Sequence, residues 1–220
     1  MPCKIAFVGG GSFLWTGTLS TDLLLKERLR GSRLTLVDID PDALSLMREV
    51  CALLNEQAGA GWTIETAGLD EALRDADFVV VSISTGGLEA FDRDYHIPEK
   101  YGVYHSVGDT VGPAGISRTL RNVPVFLDLA RRMERICPDA WMIHVTNPLA
   151  QLTRCVCTCS PVKTVGLCHN YEGTLRALAQ YLGAERSEVE ADTFGVNHSP
   201  WLRNLTCRGE PEDERLTLEP

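Results

Sequence analysis

A parallel, doubly wound α/β fold is predicted by three features of the 220-residue sequence. Short apolar segments typical of strands alternate with longer segments of helical periodicity. The first strand segment ends in a run of glycines that leads straight into a helical segment. A later strand segment, Phe78 to Val81, is apolar at every position, as expected of a strand covered on both faces. Together these features predict a Rossmann-like sheet.

The predicted elements follow one another in the order that this fold requires. The strands that can be placed are the first, second, fourth, fifth and sixth, at Lys4 to Val8, Leu34 to Ile39, Phe78 to Val81, Trp141 to Val145 and Thr164 to Leu167. The predicted helices run through Leu14, Leu19, Leu23 and Leu24, through Leu44, Met47 and Leu53, and from Ser117 to Ile136. The second of these helices has Asp40 as its expected N-cap and Pro41 at its first position.

The chain is predicted to hold one complete domain and the beginning of another. Residues 1–165 contain the Rossmann-like sheet, and residues 166–220 start a second, α+β domain. In this second part a strand near Val189 is followed by a further segment at Leu202 to Cys207. The stretch from Arg208 to Pro220 is polar with no predicted structure, so we expect the second domain to be truncated.

Composition excludes several classes of function. With 21 Lys and Arg against 30 Asp and Glu, the formal net charge is -9, which opposes binding to nucleic acid or to anionic membranes. No apolar run approaches the ~20 residues that span a bilayer, and the N-terminus resembles no signal peptide. We therefore expect a cytoplasmic protein whose eight cysteines are reduced.

One cysteine cluster invites a metal interpretation. Cys155, Cys157 and Cys159 form a C-x-C-x-C run that lacks the C-x-x-C spacing of zinc knuckles. We interpret them as small buried thiols at a helix end.

A dinucleotide site is predicted at the turn after the first strand. Glycines there allow a tight turn and a close approach to a pyrophosphate, which the helix N-terminus then binds. The G-x-G-x-x-G pattern is incomplete, because Leu14 stands in place of the third glycine. An acidic residue at the end of the second strand is placed for a ribose hydroxyl, and the lack of a basic neighbour favours NAD over NADP. The candidate cofactor-binding residues at this turn are Gly9, Gly10, Gly11, Ser12 and Asp38.

Two further strand ends belong to the same predicted cleft. Thr85 and Gly86 follow the fourth strand and are expected to line the other half of the cofactor. Asn147 follows the fifth strand, at the carboxyl edge where open α/β sheets bind ligands. A turn-forming Asn-Pro pair is the alternative interpretation of Asn147.

Two motifs later in the chain complete a pattern that resembles a known family. They are Gly166-Leu167-Cys168-His169-Asn170 and Gly195-Val196-Asn197-His198-Ser199-Pro200-Trp201. With the opening glycines and Asn147-Pro148, their order and spacing resemble the NAD- and divalent-metal-dependent glycosidases of glycoside hydrolase family 4. The resemblance runs from Lys4 to about Leu205.

The resemblance implies a set of site residues and a redox mechanism. Cys168 and His198 match residues that bind a divalent metal, usually manganese, and Asn147 matches a residue that contacts substrate hydroxyls. NAD+ would take a hydride from C3 of the sugar, the metal would polarise the ketone, and removal of the C2 proton would expel the group at C1. Water then adds and the hydride returns, so the net reaction is hydrolysis outside the two-carboxylate scheme.

The resemblance also narrows the substrate. The loop Gly108 to Ile116, followed by Arg118 and Arg121, resembles the α-galactosidase branch, so an α-galactoside or α-glucoside is expected. Asp109 is then a candidate catalytic or substrate-contacting residue, and His169 a candidate near the leaving group. Arg93 lies where some relatives bind a sugar phosphate, and a solvated helix charge is the preferred alternative.

Two other functions remain open from the residues alone. One is a 2-hydroxy-acid dehydrogenase of the lactate/malate type, and the other is a non-catalytic NAD-binding module. Relatives carry a tyrosine base beyond the second motif, which no tyrosine of this chain matches. We therefore expect NAD+ binding with little hydrolysis by this chain alone, a small-molecule glycoside as ligand, and homo-oligomers as in the family.

Overall fold

The computed structural model describes residues 1–105 and 109–212. Its larger sheet has six strands, which are β1 (Lys4–Val8), β2 (Arg33–Val37), β3 (Thr63–Thr66), β4 (Phe78–Val81), β5 (Trp141–His144) and β6 (Lys163–Gly166). All five neighbouring pairs are parallel, and the spatial order is β3-β2-β1-β4-β5-β6. This is the doubly wound order of dinucleotide-binding domains, so the predicted fold class is confirmed.

Seven α-helices are described in the structure. They are α1 (Phe13–Leu24), α2 (Pro41–Ala58), α3 (Leu69–Leu73), α4 (Gly87–Glu99), α5 (Gly112–Ile136), α6 (Leu149–Cys159) and α7 (Asn170–Leu182). Asp40 caps α2 as predicted, since its side chain accepts from the N–H groups of Asp42 and Ala43 at 3.0 Å. Helix α5 begins at Gly112 rather than at Ser117, because Pro113 is well suited to a first helical turn.

Strand β3 was not placed from the sequence. Its residues Thr-Ile-Glu-Thr are mostly polar and lie at the edge of the sheet, where none of them is fully buried. An edge strand needs no apolar run, so the hydrophobic pattern that marks the central strands is missing here.

Helices cover both faces of the six-stranded sheet. One face packs against α1 and α2 through Leu24, Met47 and Cys51. The other packs against α3, α5 and α6, with Phe126 and Leu152 fully buried. Burial on both faces explains why β4 is apolar throughout.

A second sheet follows α7. It is antiparallel and contains β7 (Val189–Val196), β8 (Ser199–Cys207) and β9 (Glu210–Pro211). Leu175 and Ala179 of α7 pack with Val189, Leu205 and Cys207 as a separate small core. The segment predicted at Leu202 to Cys207 therefore begins earlier, at Ser199.

Two smaller expectations need correction. The predicted unstructured stretch from Arg208 contains the short strand β9, while residues 213–220 lie outside the described part. The cysteine run does end a helix, but Cys157 and Cys159 are exposed rather than buried. They point outward because the buried positions of α6 are Leu149, Leu152 and Val156.

No helix within residues 1–105 or 109–212 combines the length and apolar character that crossing a membrane requires.

Candidate functional site

The glycine turn after β1 is held tightly against two neighbouring strands. The N–H groups of Gly9 and Gly10 both donate to the Val37 carbonyl at 2.9 Å. Gly9 has a φ of +91°, and a Cβ atom there would overlap the Ser82 carbonyl oxygen beyond β4. A Cβ at Gly10 would lie 2.8 Å from the Leu36 Cβ. Packing therefore requires glycine at both positions, and at Gly9 the backbone conformation requires it as well.

The N-terminus of α1 has free backbone donors. Ser12 is the N-cap, and its side chain accepts from the Trp15 N–H at 3.3 Å. The N–H groups of Phe13 and Leu14 donate to no acceptor in the described part of the chain. Free donors and the helix dipole at the end of a glycine turn form a site for an anion such as a pyrophosphate.

The missing third glycine has a structural explanation. Leu14 occupies that position and is 67% exposed, so it does not face the sheet. The buried positions of α1 are Thr16, Ser20 and Leu24. Since Thr16 and Ser20 are small, α1 can approach the sheet closely without a glycine at position 14.

Asp38 lies directly beside the glycine turn. Its Oδ2 accepts from the Gly11 N–H at 2.8 Å, and its Oδ1 accepts from the Asp40 N–H at 3.0 Å. An ionised carboxylate has about four acceptor positions, so two of them remain for other donors. A diol such as that of a ribose fits this arrangement.

The loop after β4 is fixed by a buried ion pair that the sequence analysis did not identify. Arg121 Nε donates to the Thr85 carbonyl at 2.8 Å, and its two other nitrogens donate to both oxygens of Asp94. Asp94 is only 1% exposed and also accepts from Ser117 Oγ at 2.7 Å. Gly86 follows with a φ of +84° and begins α4. The turn at Thr85 and Gly86 is thus tied to α5 through Arg121.

The ionic state of Asp94 follows from its partners. Burial by itself would raise the pKa of this carboxyl, but the hydrogen bonds from Arg121 and Ser117 and the charge of Arg121 outweigh burial and lower the pKa. Asp94 is therefore held as a carboxylate, which matches the cation it contacts.

Three of the predicted site residues meet in one hydrogen-bonded cluster. Asp109 Oδ2 accepts from Asn147 Nδ2 at 2.9 Å, and Asp109 Oδ1 lies 3.2 Å from His198 Nδ1. Thr110 Oγ1 donates to Asp109 Oδ1 at 3.0 Å and also lies 3.0 Å from His198 Nδ1. The side chains of Asp109 and His198 are each 18% exposed. Residues from three distant parts of the chain are thus joined through one carboxylate.

This cluster determines which imidazole nitrogen is available. Because the Thr110 hydroxyl gives its proton to Asp109, both oxygens near His198 Nδ1 are acceptors, so Nδ1 is the donor. The lone pair then lies on Nε2. A metal-binding histidine typically has its other ring nitrogen hydrogen-bonded in this way.

Cys168 lies in the same cleft as His198. The cleft has a volume of about 250 Å³ and is lined by Cys168, Asn170, Tyr171, Pro200 and the segment from Thr193 to His198. The Cys168 thiol is exposed, and its sulfur accepts from the Asn170 N–H at 3.4 Å. Residues 1–105 and 109–212 hold no ready-made group of three or more His, Cys, Asp or Glu side chains for a metal. Cys168 and His198, the two predicted metal ligands, line this cleft together.

The remaining predicted residues lie outside this cluster. His169 precedes α7 and packs edge-on against Trp15 of α1, with ring centroids 5.9 Å apart. Arg93 lies on the exposed surface of α4 and pairs with Glu89 one turn away. Gly108 of the predicted substrate loop lies outside the described residues.

The structure adds two residues near the cluster that the sequence pattern did not single out for a role. Thr110 is almost fully buried between Asp109 and His198. Arg118 reaches the backbone of Asn147, where its Nε donates to the carbonyl at 3.1 Å. The only available signal was that both belong to the loop and helix around Asp109.

Comparisons with known proteins match this chain to a family of glycosidases. The model of the family described as Family 4 glycosyl hydrolase matches residues 4–184. The chain is 39% identical over 211 residues to an α-galacturonidase from Thermoanaerobacterium saccharolyticum, covering 91% of this chain and 45% of that protein. It is 37% identical over 221 residues to an α-galactosidase from Bacillus subtilis, covering 98% of this chain and 51% of that protein.

A solved structure agrees with these matches. The 6-phospho-β-glucosidase from Thermotoga maritima, solved with manganese, NAD+ and glucose-6-phosphate, superposes with a TM-score of 0.83 at 25% identity. The match covers 97% of this chain and 51% of that one. The chain spans about half the length of the curated relatives it matches.

Proposed function

This chain belongs to family 4 of the glycosyl hydrolases, and we propose that it supplies the NAD+ and divalent-metal sites of a glycosidase that acts on an α-linked sugar. The observation that carries the proposal is the cluster in which Asp109 joins Asn147 to His198. Residues expected to contact the substrate and the metal are far apart in sequence, yet one carboxylate holds both.

The residues around the glycine turn fit a dinucleotide. The free N–H groups of Phe13 and Leu14 are placed for the pyrophosphate, and Asp38 has acceptor positions left for a ribose diol. Thr85 and Gly86 are proposed to line the other half of the cofactor. The Thermotoga maritima relative was solved with NAD+, which supports the same cofactor here.

Cys168 and His198 fit a divalent metal. The two side chains line one cleft, and the hydrogen bond from His198 Nδ1 leaves Nε2 for the metal. A thiolate and an imidazole alone would favour a softer metal, so manganese is proposed from the relative solved with it. Two protein ligands leave coordination positions open for sugar hydroxyls.

The proposed chemistry divides between the bound groups and the chain. NAD+ would accept the hydride from C3 of the sugar, while the metal would polarise the oxygen at that carbon. Among the described residues the Asn147 side chain donates only through Nδ2 to Asp109, so its amide oxygen and its second N–H can orient sugar hydroxyls. Asp109 holds both Asn147 and His198 in place. His169 remains a proposed catalytic residue near the leaving group, and Arg93 a proposed substrate contact.

The names of the relatives narrow the substrate. Four of the first relatives are called α-galacturonidases and two are called α-galactosidases. We therefore propose an α-galacturonide or an α-galactoside, ahead of the α-glucoside that the sequence also allowed. Residues 1–165 are proposed as the cofactor domain and residues 166–220 as the start of the metal and substrate domain, in a homo-oligomer.

Activity is tested with a panel of nitrophenyl α- and β-glycosides, including the galacturonides. Each is assayed with and without NAD+, in manganese and a thiol reductant, while NADH absorbance is recorded. Nitrophenol release that needs both NAD+ and manganese but accumulates no NADH is the expected signature of the glycosidase. A 2-hydroxy-acid dehydrogenase would instead accumulate NADH with its own substrate.

Binding is tested separately, because we expect little turnover by this chain alone. Calorimetry should show that Cys168→Ser loses manganese binding and keeps NAD+ binding. Cys157→Ser, at an exposed cysteine on α6, is the matched control and should bind both. Failure of the unsubstituted chain to bind NAD+ would overturn the proposal, and NAD+ binding with indifference to manganese and sugars would favour a non-catalytic module.

A further inference from the structure

We propose that Arg118 recognises the carboxylate of an acidic sugar substrate and so selects a galacturonide over a galactoside. This inference rests on the proposed function, because it assumes that a sugar binds beside Asn147 and Asp109. It assigns a substrate-selecting role to a residue of α5 that the sequence analysis named only as part of the pattern around Asp109.

Arg118 lies directly beside the cluster. Its Nε donates to the Asn147 carbonyl at 3.1 Å, and its guanidinium carbon lies 4.7 Å from the centre of the Phe91 ring. The Phe91 ring holds the guanidinium plane from one side, as in other cation–π contacts. The charge of Arg118 also interacts with Asp109. The cation is therefore fixed next to the residues proposed to hold the sugar.

Two nitrogens of the Arg118 guanidinium remain available as hydrogen-bond donors to a ligand. Among the described residues its two Nη groups donate to no acceptor, and no carboxylate lies within ion-pair distance. Its neighbour Arg121, by contrast, places both terminal nitrogens on Asp94. Burial lowers the pKa of the Arg118 guanidinium, although it stays protonated. A partly desolvated cation whose nearest acidic groups lie beyond ion-pair distance is suited to an anionic ligand.

The geometry of a guanidinium favours a carboxylate. Its paired N–H groups match the two oxygens of a planar carboxylate, and such bonds are among the strongest in proteins. Galacturonate carries a carboxylate at C6, where galactose carries a neutral hydroxymethyl group. The two classes of relative, α-galacturonidases and α-galactosidases, differ in this same feature. A guanidinium beside the sugar would therefore favour the acidic substrate over the neutral one.

The experiment measures specificity rather than activity alone. Affinities for galacturonate, galactose and galactose 6-phosphate are measured by calorimetry with NAD+ and manganese present, for the unsubstituted chain and for Arg118→Met. We expect Arg118→Met to weaken galacturonate binding by about 10- to 100-fold and to change galactose binding by less than about 3-fold. Arg118→Lys should recover part of the lost affinity, because lysine restores the positive charge but lacks the paired N–H donors that match both carboxylate oxygens.

The controls separate this inference from the proposed function. Arg131→Met, at an exposed position on the same helix, should leave all affinities unchanged. Equal losses for galacturonate and galactose would show that Arg118 only supports the Asn147 loop, which overturns the inference. Tighter binding of galactose 6-phosphate than galacturonate, lost in Arg118→Met, would replace the carboxylate with a phosphate. Binding of NAD+ and manganese without any sugar would overturn this inference alone, whereas loss of cofactor binding would overturn both.

Discussion

Replacing Arg121 by methionine should destabilise the protein strongly, because it would leave a buried carboxylate without its cation. Asp94 is 1% exposed and receives two bonds from Arg121. Removing one partner of a buried ion pair costs about 3–5 kcal/mol. Arg121 itself is 25% exposed, so water can partly replace it, and we expect the lower end of that range. Methionine keeps most of the apolar volume, so the loss reports mainly on the charge.

Urea unfolding, followed by circular dichroism, measures this free energy. The double variant Asp94→Asn/Arg121→Met also removes the unpaired carboxylate of Asp94, so it should recover about half of the lost unfolding free energy. Arg132→Met is the matched control, because Arg132 pairs with Asp70 and Asp128 at the surface, where such pairs contribute about 0–1 kcal/mol. A destabilisation by Arg121→Met below about 1 kcal/mol would show that Asp94 is protonated or hydrated, and the reasoning would fail. The same variant should weaken NAD+ binding, since the Thr85 carbonyl loses its donor.

Three further results are expected. Burial lowers the pKa of His144 from 6.5 to about 4. On acidification the unfolded chain therefore binds a proton at this histidine before the folded chain does. The free energy of unfolding should be highest above pH 6.5 and should fall by about 3 kcal/mol between that pH and pH 4. Urea titrations at each pH check this, and His144→Gln should flatten the dependence. Gly9→Ala should destabilise far more than Gly59→Ala in thermal melts, because both glycines have positive φ but only Gly9 faces a backbone atom; similar losses would rule out the steric reason. Asp109→Asn should weaken manganese binding about 10- to 100-fold and leave NAD+ affinity unchanged, as measured by calorimetry; unchanged manganese affinity would show that the bond to His198 is unimportant.

The parts of the fold that are determined by residues adjacent in the sequence could be predicted from the sequence. The glycine turn, the Asp40 cap and the apolar strand β4 each follow from a few adjacent residues, and all three are present. Strand β3 was not, because pairing at a sheet edge imposes no pattern on a short polar segment.

In the candidate site, too, single residues were predictable from the sequence but the contacts between distant residues were not. Asp109, Asn147 and His198 were singled out individually, but their meeting through one carboxylate depends on contacts across 38 and 89 residues. The ion pair between Asp94 and Arg121 spans 27 residues and joins two helices. No local pattern encodes such contacts, since they arise only when α4 and α5 pack together.

The turn that carries His198 is only two residues long, Asn197 and His198, between β7 and β8. One inserted residue would shift one strand by roughly 3.3 Å along its partner and turn each of its side chains to the opposite face of the sheet. The imidazole would then leave the reach of Asp109, however well its chemistry were preserved. The length of this hairpin is therefore constrained more strictly than the identities of most of its residues, because the length sets the register that places His198. Homologues and designed variants should accept substitutions along β7 and β8 far more readily than a change in loop length.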